Sequence, residues 1–384
     1  MTLLVHAHDP DEKKTKRYCQ LNLKNGQMKK ERIIEISGNP QLYLKVFRGK
    51  DMIRNVFFSK KGSAVENFFK DLIDREDTIL YEGNVPLKNK ALNLIRTVHT
   101  SQTIRRHVEL PFQSIWFDMK PLAAISPASD FIFTNEALAF LDISDLKKIH
   151  QNFPQGRMIL ILVDSMHAKS RNMISAMPLI RKFPWDLVMS FNPEDCREFG
   201  FRDLRMKYYS VLTDTLASEN TTSDLCFAGG AQPGDTRVPL IRTIYQTLKK
   251  KGIKEDFLIT NWPDQHDGIR YEREYIPYRS ILEMEKQSNC ILEILKEGQH
   301  FQTVRYFEAV VYQKKLLTNN PNLSELPYYN SEFMKYFSEP SDIDPEWIRK
   351  QEPVHYDYDN QFSPEGIPDL IEEYLSENKQ RGAR

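Results

Sequence analysis

The chain is poor in the features that most often betray a function by composition. Its 384 residues include only four cysteines, Cys19, Cys196, Cys226 and Cys290, with no C-x-x-C pair among them. Neither a disulfide framework nor a thiolate metal knuckle is expected from them. Lys plus Arg and Asp plus Glu both number 53, and a formal charge of zero gives no global field toward nucleic acid or a membrane. Any basic partner site must be local. No apolar run approaches the ~18–20 residues that a spanning helix needs. The opening segment MTLLVHAHDPDEKK has no basic leader and no small-residue cleavage site, unlike a secretory signal. Neither G-x-G-x-x-G nor the Walker phosphate loop occurs, which leaves a dinucleotide or ATP-hydrolysis label unsupported. These absences point to a globular protein of a reducing cytoplasm, soluble or peripheral to a membrane.

Two domains are expected, because 384 residues exceed the roughly 100–200 of an ordinary domain. In the C-terminal half, strand-like runs DLCFAGG (224–230), DFLITNW (256–262), NCILEIL (289–295) and LLTNN (316–320) alternate with helix-like segments at 237–252, 277–289 and 303–315. Such alternation predicts parallel βαβ units with helices on both sheet faces. The N-terminal half repeats the pattern less cleanly, with strands at 2–8, 78–83, 129–135, 157–165, 185–191 and 208–212, and helices at 63–74, 142–153 and 173–183. Residues 25–60 resist assignment. The polar stretch TDTLASENTTS (213–223) is the expected boundary, dividing an N-terminal Rossmann-like domain, 1–215, from a C-terminal one, 224–362. Ser363 and Pro364 then start a helix in the tail 363–384. Two such α/β domains facing each other leave a cleft at the C-terminal ends of both sheets, where ligands of these folds bind.

Two constellations fall at that cleft. Gly229 and Gly230 end a strand, and a polar loop leads to Arg237 at a helix start, so backbone amides and one cation can face an anionic group. The bland alternative is a tight strand exit. Downstream, a strand ending in Glu293 is followed by a loop carrying Gln299 and Thr303 and by a helix presenting Arg305 and Glu308. On that helix Val304, Phe307 and Val311 form the sheet-facing stripe. A carboxylate near the helix start can accept hydrogen bonds from a ribose diol, and Arg305 with the helix N-terminus suits a diphosphate. An ordinary i, i+3 surface ion pair is the alternative.

The order of these parts, a strand like CILEI, a G-Q loop, T-x-R-x-x-E-A and a strand like KKLLTNN, resembles the donor-binding segment of GT-B-fold glycosyltransferases of bacterial capsule, exopolysaccharide and lipopolysaccharide biosynthesis. The resemblance covers most of 224–378 and extends more weakly upstream. It implies a GT-B-like α/β fold with a C-terminal closing helix, and a metal-independent transfer of a sugar from a nucleotide-sugar to an oligosaccharide or lipid-linked acceptor. The nucleotide-sugar is substrate, and no cofactor is implied. Carried over residue by residue, it gives Glu308 to the ribose, Gln299 and Thr303 to the donor loop, Arg305 to the phosphates, and Gly229, Gly230 and Arg237 to the phosphate-side loop. Asp164 and His167, after an N-domain strand, are candidates for a catalytic base, and Asn192, which also follows an N-domain strand, is a further residue able to reach an acceptor hydroxyl. A nucleotide-sugar epimerase, a polyol-phosphate transferase and a noncatalytic component of polysaccharide assembly remain open alternatives.

A third feature is local and basic. Between 88 and 117, Lys88, Lys90, Arg96, Arg105 and Arg106 interleave with Leu92, Leu94, Ile95, Val98, Ile104, Trp116 and Phe117. That mixture suits anionic lipid headgroups or a diphosphate-lipid carrier, a membrane or acceptor patch more than a nucleic-acid site. A core helix with a solvated basic face is the alternative. Three D-x-D pairs, Asp9–Asp11, Asp342–Asp344 and Asp357–Asp359, lack the preceding apolar strand that metal-holding pairs have. His6, His8 and Asp9 lack a third ligand of recognisable spacing. No essential metal is expected.

Overall fold

A computed structural model describes residues 53–59, 62–81, 90–99, 116–117, 119, 122, 125–167, 171–213, 221–231, 234–263, 265–274, 276–296, 299 and 301–382, with four two-residue strands nearer the N-terminus. The first domain holds a six-stranded sheet: β1 (Asn55–Phe58), β2 (Thr78–Tyr81), β3 (Asp130–Thr134), β4 (Arg157–Leu162), β5 (Leu187–Ser190) and β6 (Arg202–Asp203). The order is β6-β5-β4-β3-β1-β2, and every pairing is parallel. Strands β3 (DFIFT) and β4 (RMILIL) are almost wholly buried, as expected of a parallel sheet covered on both faces. Helices α1 (Ala64–Phe68), α2 (Lys70–Ile73), α3 (Lys90–His99), α4 (Asn135–Leu138), α5 (Ile143–Asn152), α6 (Arg171–Lys182) and α7 (Pro193–Phe199) accompany these strands. Several start where the sequence supplies a cap: Ser63, Thr134 and Asn192 accept backbone N–H bonds, and Asp142 with Asp145 forms a capping box.

The second sheet consists of β7 (Ser223–Gly230), β8 (Glu255–Thr260), β9 (Arg270–Glu272), β10 (Ser288–Glu293), β11 (Lys315–Thr318) and β12 (Met334–Tyr336). Its order is β9-β8-β7-β10-β11-β12, again all parallel. Counted within the domain this is 3-2-1-4-5-6, the dinucleotide-fold order, and its switch point lies between β7 and β10. Helices α8 (Arg237–Lys250), α9 (Tyr278–Lys286), α10 (Val304–Val311) and α11 (Pro345–Arg349) belong to it. A 3-10 turn capped by Ser363 leads into α12 (Ile367–Gly382). This helix returns to the first domain: Tyr374 donates to the Asp203 carbonyl at 2.8 Å, Arg205 pairs with Glu373 at 2.9 Å, and Arg157 with Glu372 at 2.6 Å. The architecture is thus the GT-B-like one, two Rossmann-like sheets and a C-terminal helix.

One apolar cluster runs through both domains. Phe57, Ile132 and Ile159 of the first sheet belong to the same core as Cys226, Leu258 and Ile291 of the second and Ile367, Leu370 and Ile371 of α12. Several segments differ from the sequence reading. The unassigned region 25–60 contains β1, an interior strand next to the edge strand β2, whose four residues NVFF sit between charged stretches. Residues 208–212 form no strand; the N–H groups of Tyr208 and Tyr209 both bond the Phe362 carbonyl at 2.9 Å, fastening the start of the interdomain connection to the tail. Within 2–8, Thr2–Leu3 and Val5–His6 pair antiparallel with Leu21–Asn22 and Lys45–Val46, outside the parallel sheets. Of the 213–223 stretch, residues 214–220 lie outside the described residues, as do Cys19, His8, Asp9 and Asp11.

Candidate functional site

The loops leaving β7, β10 and β11 meet around a cavity of about 300 Å³ lined by Thr236, Arg237, Leu240, Leu295, Lys296, Gln299, Asn319, Pro321 and Tyr336. It opens at the carboxyl edge of the sheet, at the switch point, the position where this strand order receives its ligand. The loop after β7 is set by Arg237. Its guanidinium takes Asp235 in a bidentate grip, at 3.1 and 2.8 Å, and donates to the Gly230 carbonyl at 2.7 Å. Burial of Asp235 works against its charge, yet Arg237 holds its carboxyl below the usual range. At Gly229 a Cβ would stand 2.8 Å from the Phe227 ring, so packing requires the glycine there.

The loop after β10 is clasped at its base by Glu293. One oxygen of this buried carboxylate accepts from the Thr303 N–H and hydroxyl, both at 2.7 Å, and the other from the Thr318 hydroxyl at 2.7 Å. Burial raises its pKa against those three bonds. Thr303 in turn caps α10. Above the clasp, the Leu295 N–H donates to the Asn319 side chain at 2.7 Å, and Gln299 N–H closes a turn on the Lys296 carbonyl at 2.9 Å. The Lys296 side chain is exposed at the cavity wall. Lys296 and Asn319 are not singled out by the sequence reading, although Asn319 directly follows β11 and Lys296 lies three residues past β10, at the same sheet edge as Gln299.

Beneath the loop lies a buried ionic cluster. Arg305 pairs with both Glu308 and Glu285, whose side chains are 0% and 1% exposed. Glu308 also accepts from the Tyr278 hydroxyl at 2.6 Å; that oxygen is 2.6 Å from the Tyr209 hydroxyl, and Tyr209 reaches Tyr312 at 3.5 Å. Tyr312 accepts from the Leu212 N–H at 3.0 Å. Burial, and after the pull of Arg305 the neighbouring Glu308, leave Glu285 with a pKa well above the carboxylate range. One guanidinium therefore serves two carboxyl groups, and burial favours the protonated form of Glu285. Arg305 is itself held cationic: burial disfavours its charge, but the two glutamates outweigh it. The cluster ties α9 and α10 to the interdomain connection at Tyr209. None of its residues lines the cavity.

Aromatic contacts bring the two sheet edges together. Phe191, just past β5, meets Phe301 of the β10–α10 loop edge-on at 5.3 Å and stacks on Tyr208 at 5.3 Å. On the first-domain side, Asp164 accepts from Asn135 at 3.1 Å, while His167 pairs with Glu198 at 2.7 Å. Glu198 raises the exposed imidazole above its ordinary pKa. Asn192 is buried, capping α7 and donating to Ser165 at 3.1 Å. Beside it Asp195, unremarked in the sequence, accepts from Ser165, Ser190 and the Met166 N–H at 3.0–3.2 Å. Arg96 and Trp116 stand apart from the cavity, and Arg105 and Arg106 lie outside the described residues. Asp342 completes the capping box of Glu339, and Asp344 caps α11. Among the described residues no group of three or more metal-ligating side chains occurs, and no helix is long and apolar enough to cross a membrane.

No protein-family model matches the chain, and no curated protein does. Solved structures of similar outline include TarM, at 10% identity and a TM-score of 0.38 over 67% of this chain and 53% of that one, so that the match spans about half of TarM's length. The spinosyn rhamnosyltransferase SpnG is similar at 11% identity and a TM-score of 0.37, over 84% and 96%. An alpha,alpha-trehalose-phosphate synthase (UDP-forming) from Burkholderia vietnamiensis gives 9% and 0.44, over 77% and 89%. One S. aureus TarM structure is a complex with UDP, and one of SpnG a complex with thymidine diphosphate. All are likenesses of outline at low identity.

Proposed function

We propose that the chain is a glycosyltransferase that takes its sugar from a nucleotide-sugar held at the switch point of the second sheet. The observation that supports this most is the cavity between the β7 and β10 exits, bordered by Lys296 and Arg237. When the glycosidic bond to the diphosphate breaks, negative charge grows on the leaving phosphate. A lysine at the wall and the edge of a guanidinium would steady that charge without a metal. Gln299 and Asn319 offer donors and acceptors to the sugar or ribose. Glu308 would have to leave Tyr278 and Arg305 to reach a ribose, so we assign Glu308, Arg305, Glu293 and Thr303 to holding the donor loop in place.

The acceptor side falls to the first domain, and we propose a cell-surface glycan, lipid-linked, as acceptor. Asp164, oriented by Asn135, and His167, kept basic by Glu198, are the groups at the first sheet's carboxyl edge able to take the acceptor proton. Incubation with UDP-, GDP-, CDP- and dTDP-sugars tests the reading. One donor should be slowly hydrolysed with release of its nucleoside diphosphate. Hydrolysis of none, or isomerisation of a donor without release, would overturn it.

A further inference from the structure

Helix α3 presents an apolar face that the rest of the described chain does not cover. Leu92, Leu94, Ile95 and Val98 are 44%, 66%, 54% and 49% exposed, four of the eight large exposed hydrophobics among the described residues. At about 100° per residue, Leu94, Val98 and Ile95 form one contiguous stripe and Leu92 widens it. Lys90 flanks the stripe on one margin, and Arg96 lies beyond Leu92 on the other. The helix is not a loose end. Trp116 donates to His99 Nδ1 at 2.6 Å, and the next residue, Phe117, packs edge-on against Tyr81 of β2 at 5.6 Å. Of the two sequence readings, a core helix with a solvated basic face and a peripheral patch, these exposures fit the second over α3, while Phe117 of the same segment is buried.

Charge identifies the partner. From Gly83 to Val108 the sequence has Lys88, Lys90, Arg96, Arg105 and Arg106 and not one Asp or Glu, within a chain whose net charge is zero. An apolar stripe between cationic margins is the build of a helix lying in the plane of an anionic bilayer, its leucines in the acyl boundary and its cations at headgroup phosphates. Pairing of this segment with its own copy would set like charges together, since it carries no acid to offset them.

We propose that α3 is an interfacial helix that docks the protein on anionic lipid. The surface is independent of the cavity at the second sheet, so it stands or falls apart from the sugar-transfer reading. Flotation of the full-length protein with vesicles of phosphatidylcholine alone, and of phosphatidylcholine containing phosphatidylglycerol, tests it directly. The protein should float with the anionic vesicles only, and rising salt should release it. Leu94→Glu and Ile95→Glu, at exposed positions, should lower partitioning more than tenfold with the melting temperature unchanged, and Lys90→Glu at least about fivefold. Absence of flotation, equal flotation with both vesicle types, or an undiminished Leu94→Glu variant would overturn the proposal. So would a concentration-dependent dimer in light scattering that Leu94→Glu abolishes, since the stripe would then be covered by a second copy.

Discussion

The β10–α10 unit carries two sets of polar residues a few positions apart, and they do opposite things. Lys296, Gln299 and their neighbour Asn319 border the open cavity. Arg305 and Glu308, on the helix that follows, are sealed inside with Glu285 and Tyr278. The first set has groups facing solvent and available to a ligand. In the second, every ionic partner is internal, and its bonds run from α10 to the interdomain connection at Tyr209. A motif of charged residues near a cleft can thus serve as the rigid floor of a site whose working surface is supplied by less conspicuous residues above it.

The largest effect that sharpens this contrast is expected at Arg305. Arg305→Met would leave two buried carboxyl groups without their cation, costing about 3–5 kcal/mol, visible as a lower denaturation midpoint. Lys296→Ala, at the rim, should stay within about 0.5 kcal/mol of wild type. Equal losses at the two sites would erase the distinction. Next is Tyr209→Phe, which strands the Tyr278 and Tyr312 hydroxyls from their shared partner and should cost about 1–2 kcal/mol in the same assay.

A smaller, pH-dependent effect belongs to Glu285. Its folded-state pKa is raised by burial, so the folded protein keeps a proton that the unfolded chain releases above about pH 4.3. Stability from this group is therefore full below that value and declines as pH rises toward the folded-state pKa. Glu285→Gln mimics the protonated acid and should flatten the decline, so its stability relative to wild type should grow with pH across the neutral range. A difference independent of pH would mean that Glu285 is ionised in the fold.

Much of this was legible before the structure. The alternation of apolar runs and amphipathic segments after residue 223 predicts the βαβ series, because buried parallel strands and sheet-covering helices leave distinct periods. What escaped was short or at an edge: β9 and β12 are three residues each, and β1 is four residues between charged stretches. At the site, Arg237 and Gln299 are where their positions after strands imply, on the cavity wall. The inward turn of Arg305 and Glu308 was not legible, since an i, i+3 pair reads the same whether it faces solvent or a buried third carboxyl. Glu285 comes from another helix, 20 positions before Arg305 in the numbering, and only the tertiary fold brings them together.

The central claim concerns the cavity at the second sheet's switch point, and calorimetric titration with nucleoside diphosphates reaches it most directly. One nucleoside diphosphate should bind wild-type protein with one-to-one stoichiometry, and Lys296→Ala should weaken it about tenfold, the loss of one charge-assisted contact, with the melting temperature unchanged. Binding that Lys296→Ala leaves intact, or no binding by any of them, would contradict it.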